Sequence, residues 1–276
     1  MVIELDISSI EVSRKDLKKG IKLPAFLTPE LAEDIGIHIG DGCMNIYPNP
    51  HGNDYFYKCS GHPLDDREWY DNFIVGLKFK LFGLSLIPKK FSDGTYGIQF
   101  RSKGIILFYN KVIGIPLGKK TNIADMPLII KNSDKKFKIS FLRGLFDADF
   151  TLTFKRKYKD VHYYPVIKCG FSSERLTVSL CKLLKELDFN FSWRISSEHD
   201  RRTGKVYKVY EIYISGKKMV NRWFSLIGSH NPKHLTKFKI WKKFGFCPPN
   251  TNLKIRTSIL NGEIDSLSLE NGRGRI

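Results

Sequence analysis

The sequence predicts an α+β protein of two related halves, each running helix, two strands, helix, two strands, helix. Three observations carry that expectation. Similar features return once along the chain in the same order. Apolar residues alternate at period two in some runs and recur at i, i+3 and i+4 in others, which marks strands and helices respectively. Each half opens on a helix with small residues four apart and an aspartate at its end. Two equivalent units in one chain define a pseudo-twofold molecule, the single-chain counterpart of a symmetric dimer.

The elements follow in order. The opening helices are Asp34-Ile-Gly-Ile-His-Ile-Gly-Asp41-Gly42 and Leu142-Arg-Gly-Leu-Phe-Asp-Ala-Asp149-Phe150. Lys58-Cys59 follows Asp41 by 17 residues, and Lys168-Cys169 follows Asp149 by 19. A helical period comes next, with Trp69, Phe73, Leu77 and Leu81 in one half and Leu176, Leu180, Leu183 and Leu187 in the other. Strand-like runs Tyr96 to Phe100 and Val206 to Ile214 precede helix starts at Ser102-Lys103 and Ser215-Gly-Lys217. Both closing helices end in Ile-Gly, at Ile113-Gly114 and Ile227-Gly228. Pro127, Asn132 and Ser133 break the pattern in a linker from Asn122 to Lys136, and Asp134 is placed to cap the helix after it. The expected division is an N-terminal extension (1–27), a first unit (28–126), a second unit (127–250) and a C-terminal tail (251–276).

Composition narrows the function. The chain has 276 residues, 46 Lys and Arg against 28 Asp and Glu, and a formal charge of +18. An excess this large attracts polyanions, nucleic acid foremost. No apolar run approaches the ~20 residues that span a bilayer, and Met1 to Lys19 lacks the apolar core of a signal peptide. The expectation is an intracellular, cytoplasmic protein without membrane attachment. The five cysteines are scattered and form no CxxC pair, which argues against zinc ribbons and disulfide frameworks.

Gly36 and Gly40, like Gly144 and Ala148, share one helix face one turn apart. Glycine costs about 1 kcal/mol against alanine inside a helix, and close packing of two backbones offsets that cost. Packing these helices together brings Asp41 and Asp149 together at two helix C-termini. There the macrodipole and mutual repulsion disfavour both carboxylates unless a cation neutralises them. Oxygen-only ligands suit Mg²⁺ or Mn²⁺, which commonly takes one or two carboxylates plus phosphate oxygens. A metal so placed activates water and stabilises the oxygens of phosphodiester hydrolysis. His38 reads as a packed helix residue.

These residues resemble the LAGLIDADG homing endonucleases in their single-chain, two-motif form. Leu142-Arg-Gly-Leu-Phe-Asp-Ala-Asp149 is similar to the family motif, and the Asp34 to Gly42 stretch is a looser copy. Ile113-Gly-Ile-Pro-Leu-Gly-Lys-Lys-Thr121 and Ile227-Gly-Ser-His-Asn-Pro-Lys233 extend the resemblance to roughly residues 28 to 249. It implies two αββαββα units, motif helices packed at the centre, and two antiparallel four-stranded sheets forming a saddle over duplex DNA. It further implies metal-dependent double-strand cleavage at a long site, leaving short 3′ overhangs. The metal then falls to Asp41 and Asp149 with the adjoining Gly40 and Ala148. A lysine near the centre of each half is implied as well. Lys120 and Lys237 hold those places, 79 and 88 residues after their aspartates, with Lys119 and Lys233 as competitors. Phe150 stands where the motif carries glycine, which puts the backbone beside the second metal ligand in question.

The strands of the second half have a core face and a polar face. Thr151, Thr153, Lys155 and Lys157 alternate with Leu152 and Phe154; His162, Tyr164 and Lys168 alternate with Tyr163, Pro165, Ile167 and Cys169; Ser192, Arg194 and Ser196 alternate with Phe191, Trp193 and Ile195. Asn45, Lys58, Gln99 and Arg101 hold comparable places in the first half. Such ribbons read base edges in the major groove, while Lys159, Arg201, Arg202 and Lys205 meet phosphates. The expected partner is double-stranded DNA, bound by a monomer. The competing readings are an intron RNA maturase, a non-cleaving DNA-binding regulator on the same scaffold, and a generic basic scaffold protein, which leaves the paired motifs unexplained.

Overall fold

A computed structural model describes residues 2–199 and 204–270. The first half comprises α1 (Arg14–Lys18), α2 (Pro29–Asp41), β1 (Gly42–Tyr47), β2 (Asp54–Gly61), α3 (Val75–Phe82), β3 (Lys89–Lys90), β4 (Tyr96–Arg101) and α4 (Lys103–Leu107). A π-helical turn, Trp69–Ile74, leads into α3, and another, Phe108–Val112, prolongs α4. The second half comprises α5 (Leu128–Lys131), α6 (Lys135–Asp149), β5 (Thr151–Lys155), β6 (Tyr164–Phe171), α7 (Glu174–Glu186), β7 (Ser192–His199), β8 (Val206–Ser215), α8 (Lys217–Leu226) and α9 (Pro232–Phe244). Two further helices close the described chain, α10 (Leu253–Asn261) and α11 (Ser266–Glu270).

Both halves thus repeat the expected helix, strand-pair, helix, strand-pair, helix order. Their antiparallel sheets have the same topology, β1-β2-β4-β3 and β5-β6-β8-β7. Turn chemistry repeats as well. Gly114 and Gly228, which end the closing helices, sit at φ of 83° and 74°, a left-handed conformation that glycine adopts without a Cβ clash. The helix starts differ slightly: Ser102 caps α4 by accepting the Ile105 N–H at 3.2 Å, whereas Gly216, not Ser215, holds that position on α8. The linker contains a turn of helix, α5, before Asp134 takes the N-cap position of α6.

α2 and α6 pack against each other at the centre, and the pseudo-twofold is visible atom by atom. A Cβ on Gly36 would lie 2.1 Å from the Phe141 carbonyl oxygen and 2.8 Å from the Leu145 nitrogen. A Cβ on Gly144 would lie 2.0 Å from the Glu33 oxygen and 3.1 Å from the Ile37 nitrogen, the matching atoms of the other helix. The backbones touch where only glycine fits.

The cores of the halves are chemically different. In the first half a fully buried Asp34–Lys78 pair (2.6 Å) spans α2 and α3, with the Tyr109 hydroxyl donating to Asp34. Lys78 also donates to the hydroxyls of Tyr57 and Tyr109, at 3.2 and 2.9 Å, and His38 stacks on Tyr109. At the places of Asp34, His38 and Tyr109 the second half has Leu142, Phe146 and Trp223, all buried. His38 is a packed core residue, as its sequence context predicts.

The terminal segments are folded onto this frame. Leu5, Ile10 and Ile21 are buried, and the Asp16 carboxylate accepts the Gly104 N–H at 3.0 Å at the start of α4. At the other end, the buried Arg256 of α10 donates to Asp65 of the first half and Thr236 of α9, both at 3.0 Å. Asp65 also accepts the Leu253 N–H at 2.6 Å, so α10 ties the two halves together. No helix among the described residues is long and apolar enough to cross a membrane.

Candidate active site and nucleic-acid interface

The packing of α2 on α6 sets the site. At the helix ends a Cβ on Gly40 would lie 2.6 Å from the Ala148 Cβ and 3.2 Å from the Asp149 Cβ. Asp41 and Asp149 therefore end two touching helices, as the small-residue faces predict. Burial pushes the Asp41 carboxyl well above the usual carboxylate range, and the charges of Asp149 and Asp66 push it further. Lys233 and Lys120 pull it back. Asp149 reaches solvent, yet the protein packed around it raises its carboxyl too, against the pull of Lys120 and Lys233. The donor set is oxygen only, strained by like charge, and lies at two helix C-termini. It fits a hard divalent cation.

The lysines divide unexpectedly. Lys120 lies across the C-terminus of α2 and donates to the carbonyls of His38, Ile39 (2.8 Å) and Gly40 (3.1 Å). It supplies positive charge to the orphan carbonyls of the motif helix, and the Gly40 carbonyl predicted to face metal is one of its acceptors. Burial lowers its ammonium, while Cys59, Asp149 and Asp41 oppose that shift. Lys237 has a different partner. It donates to the Leu152 carbonyl at 3.2 Å, and burial, then the charge of Arg256, lowers it to about 8. Lys233, one turn earlier on α9, acts on both aspartates instead.

Sequence reasoning missed Asp66. Its carboxylate is buried, pairs with Lys233 at 2.8 Å and accepts from Asn231 at 2.8 Å and from the His62 N–H at 2.8 Å. Asn231 donates in turn to the Asp147 carbonyl near the end of α6, at 3.0 Å. The signal was present as a second acid in Asp65-Asp66, but nothing in a solvated-looking Asp-Asp pair marks it as buried.

A second cluster joins the motif helices. Glu33, Asp147 and His230 place one ligand-type atom each within 4.8 Å of one another. Their oxygens already have partners. Arg143 donates to Glu33 at 2.8 Å, the His230 ring nitrogen lies 2.6 Å from Glu33, and Asp147 accepts from Ser229 and from the His230 N–H. The cluster is a polar bridge between halves. Burial raises Asp147 to about 7.

Phe150 and Gly42 occupy equivalent positions with similar extended backbones, at φ, ψ of −92°, 165° and −78°, 146°. Phe150 is buried against Phe146, Phe171 and Trp223. It serves the apolar core of its half without changing the path of the chain beside Asp149.

Beyond the acids, the sheets present polar faces. Cross-strand partners share a face, so register decides the candidates. Lys58 lies between Cys43 and Gln99, and Phe56 between Asn45 and Arg101. Lys168 lies between Thr151 and Tyr213, which also opposes Ser192; Glu211 opposes Arg194 and Val209 opposes Ser196. Thr153 opposes Val166 and Lys155 opposes Tyr164 on the same face. Thus Asn45, Lys58, Gln99 and Arg101 line one face, and Thr151, Thr153, Lys155, Tyr164, Lys168, Ser192, Arg194 and Ser196 the other. Lys157, just past β5, lies 4.6 Å over the Tyr164 ring.

Three of these cations have acidic neighbours that the alternation pattern did not disclose: Lys58–Asp93 at 2.5 Å, Arg101–Asp54 at 2.7 Å and Arg194–Glu211 at 2.7 Å. His162, too, has a different partner. Its ring nitrogen lies 2.5 Å from Glu270 of α11, so it anchors the C-terminal segment rather than the polar sheet face. It precedes β6, where alternation no longer dictates direction. Lys159 and Lys205 are exposed on the loops after β5 and before β8, while Arg201 and Arg202 lie outside the described residues.

The central pair of motif helices, the two β1-β2-β4-β3-type sheets and the pseudo-twofold define the LAGLIDADG homing-endonuclease fold in its single-chain form. Solved structures with this fold match the chain over most of its length. A mesophilic-variant structure of the homing endonuclease I-DmoI aligns with TM-score 0.50 at 16% identity, over 73% of this chain and 97% of that one. I-DmoI in complex with DNA and Ca aligns with TM-score 0.50 at 15% identity, over 73% and 91%. A point mutant of I-SmaMI aligns with TM-score 0.51 at 13% identity, over 91% and 100%. The likeness is one of fold. No family model and no curated protein matches the chain.

Proposed function

We propose that the chain is a site-specific homing endonuclease that makes metal-dependent double-strand breaks in duplex DNA. The observation that carries the reading is the Asp41–Asp149 pair, held by touching motif helices and flanked by Lys120 and Lys233. Residues 28–126 and 127–250 act as the two units, each addressing one DNA strand. The I-DmoI structure with DNA and Ca, and that of an I-DmoI variant with its target DNA and Mn, support DNA and a divalent ion as the ligands. A monomer suffices, because both acids come from one chain.

Asp41 and Asp149 hold the metal, Mg²⁺ or Mn²⁺, next to the Ala148 carbonyl and the Gly40 carbonyl that Lys120 also engages. Bound there, a divalent ion lowers the pKa of water and screens charge on the scissile phosphate. Lys120 and Lys233 bring positive charge to the phosphate and oppose the upward shift of both carboxyls. The polar sheet faces read base edges through Asn45, Gln99, Arg101, Thr151, Thr153, Ser192, Arg194 and Ser196. Lys58, Lys155, Lys157 and Lys168 hold the backbone.

Incubation with Mg²⁺ and a randomised duplex library, followed by sequencing of cut ends, tests the proposal. One long preferred site with discrete double-strand breaks is expected. Intact DNA with wild-type protein contradicts it. RNA binding without DNA cleavage supports the maturase reading in its place.

A further inference from the structure

The two lysines beside the acids are held by different devices. Lys120 is fixed by main-chain carbonyls of α2, which no side-chain substitution removes. Lys233 is fixed by a carboxylate of the opposite half, Asp66, at 2.8 Å, with both side chains largely shielded from water. Asp66 has no acidic counterpart: three residues before Trp69 the first half has Asp66, and three residues before Leu176 the second half has Ser173. Ser173 caps α7 and donates to the Ala124 carbonyl, away from either aspartate. The arrangement around Asp66 also reaches the end of α6 through Asn231. One carboxylate thus holds a cation of the second half whose charge acts on both Asp41 and Asp149, and adds a third negative charge that acts on Asp41.

We infer that Asp66 is a positioning residue that holds the Lys233 ammonium at the acidic centre for cleavage of one of the two DNA strands. The inference rests on the endonuclease reading above. An ammonium on a flexible four-carbon stem has many rotamers; an ion pair in a site largely closed to water confines it to one. Without the carboxylate, Lys233 reaches the phosphate only in a minority of its conformers. The strand that depends on it is then cut more slowly, while the strand served by Lys120 is not.

The test follows both strands separately on a plasmid carrying the site selected from the library. D66N should slow one strand about tenfold or more relative to the other, so that open-circular nicked DNA accumulates, with DNA affinity unchanged. K233M should slow the same strand, and the D66N/K233M pair should be no slower than K233M within about twofold. D66E, with its carboxylate one methylene farther out, should slow that strand by less than D66N. If D66N does not fold, D66E and K233M decide the matter between them by slowing the same strand or not. Equal slowing of both strands, opposite strands for the two residues, or multiplying effects in the pair overturns the inference. Wild-type protein that leaves DNA intact defeats the cleavage reading itself; wild type that cuts while D66N slows both strands alike defeats this inference alone.

Discussion

Gly36→Ala and Gly144→Ala put one methyl group each into the contact between α2 and α6. The added Cβ atoms would lie 2.1 and 2.0 Å from main-chain carbonyl oxygens. An ordinary carbon–oxygen contact is about 3.3 Å, so the helices must part by roughly 1 Å. Backbone cannot swing aside as a side-chain tip can. Overpacking of this kind costs about 1–3 kcal/mol, against about 1 kcal/mol that alanine gains over glycine in a helix. The net loss of stability is therefore small, about 0–2 kcal/mol. Activity should suffer more. The same contact sets the separation of Asp41 and Asp149, and a 1 Å misplacement costs on the order of 100-fold in rate. Urea denaturation and single-turnover cleavage measure the two effects. Gly76→Ala is the control, because nothing lies within 4 Å of its added Cβ on α3; it should stabilise by up to about 1 kcal/mol and leave cleavage unchanged. If Gly36→Ala and Gly144→Ala cut like wild type, the helix contact does not set the site.

Other consequences follow from the buried charges. Lys78→Met leaves Asp34 without its cation and should cost about 3–5 kcal/mol in urea denaturation, whereas Asp34→Leu with Lys78→Met should be near neutral or stabilising. Asp147, raised to about 7 by burial, keeps a proton that the unfolded chain loses near pH 4. The folded form binds the extra proton between those values, so its contribution to stability is full below about pH 4 and lost as pH rises to about 7. Urea midpoints of wild type against Asp147→Asn across pH 4 to 8 should show a shallower fall in the variant. Arg194→Ala should relax base preference at one position by about 1–3 kcal/mol, read from binding to single-base variants of the site. Lys168→Ala should weaken all sequences alike and reduce the salt dependence of binding.

Much of this was legible in the sequence because it depends on spacing. The Gly36/Gly40 and Gly144/Ala148 faces required two backbones in contact, and that contact placed Asp41 beside Asp149. Strand alternation likewise placed Asn45, Lys58, Gln99 and Arg101 on one face, since register at period two leaves no other choice. What spacing could not disclose was the direction of side chains outside regular elements. Lys233 and Lys237 lie one turn apart on α9, and only the angle of α9 decides which meets the acids. Asp66 and His162 sit where no period governs, so their partners, Lys233 and Glu270, come from chain far away in sequence. The buried Asp34–Lys78 pair was hidden for a different reason: a charged residue in an amphipathic helix ordinarily marks its wet side.

The most direct measurement combines function and stability in one variant, Asp41→Asn with Asp149→Asn. Burial raises both carboxyls in the folded chain, and the charges of Asp149 and Asp66 raise Asp41 further, so neutral amides relieve a destabilising charge at neutral pH. A metal-holding pair is kept at that cost for its chemistry. The account predicts a variant with a higher thermal midpoint than wild type, unchanged binding to the selected site, and no Mg²⁺-dependent cleavage. Undiminished cleavage, or inactivity accompanied by loss of the fold, would contradict it.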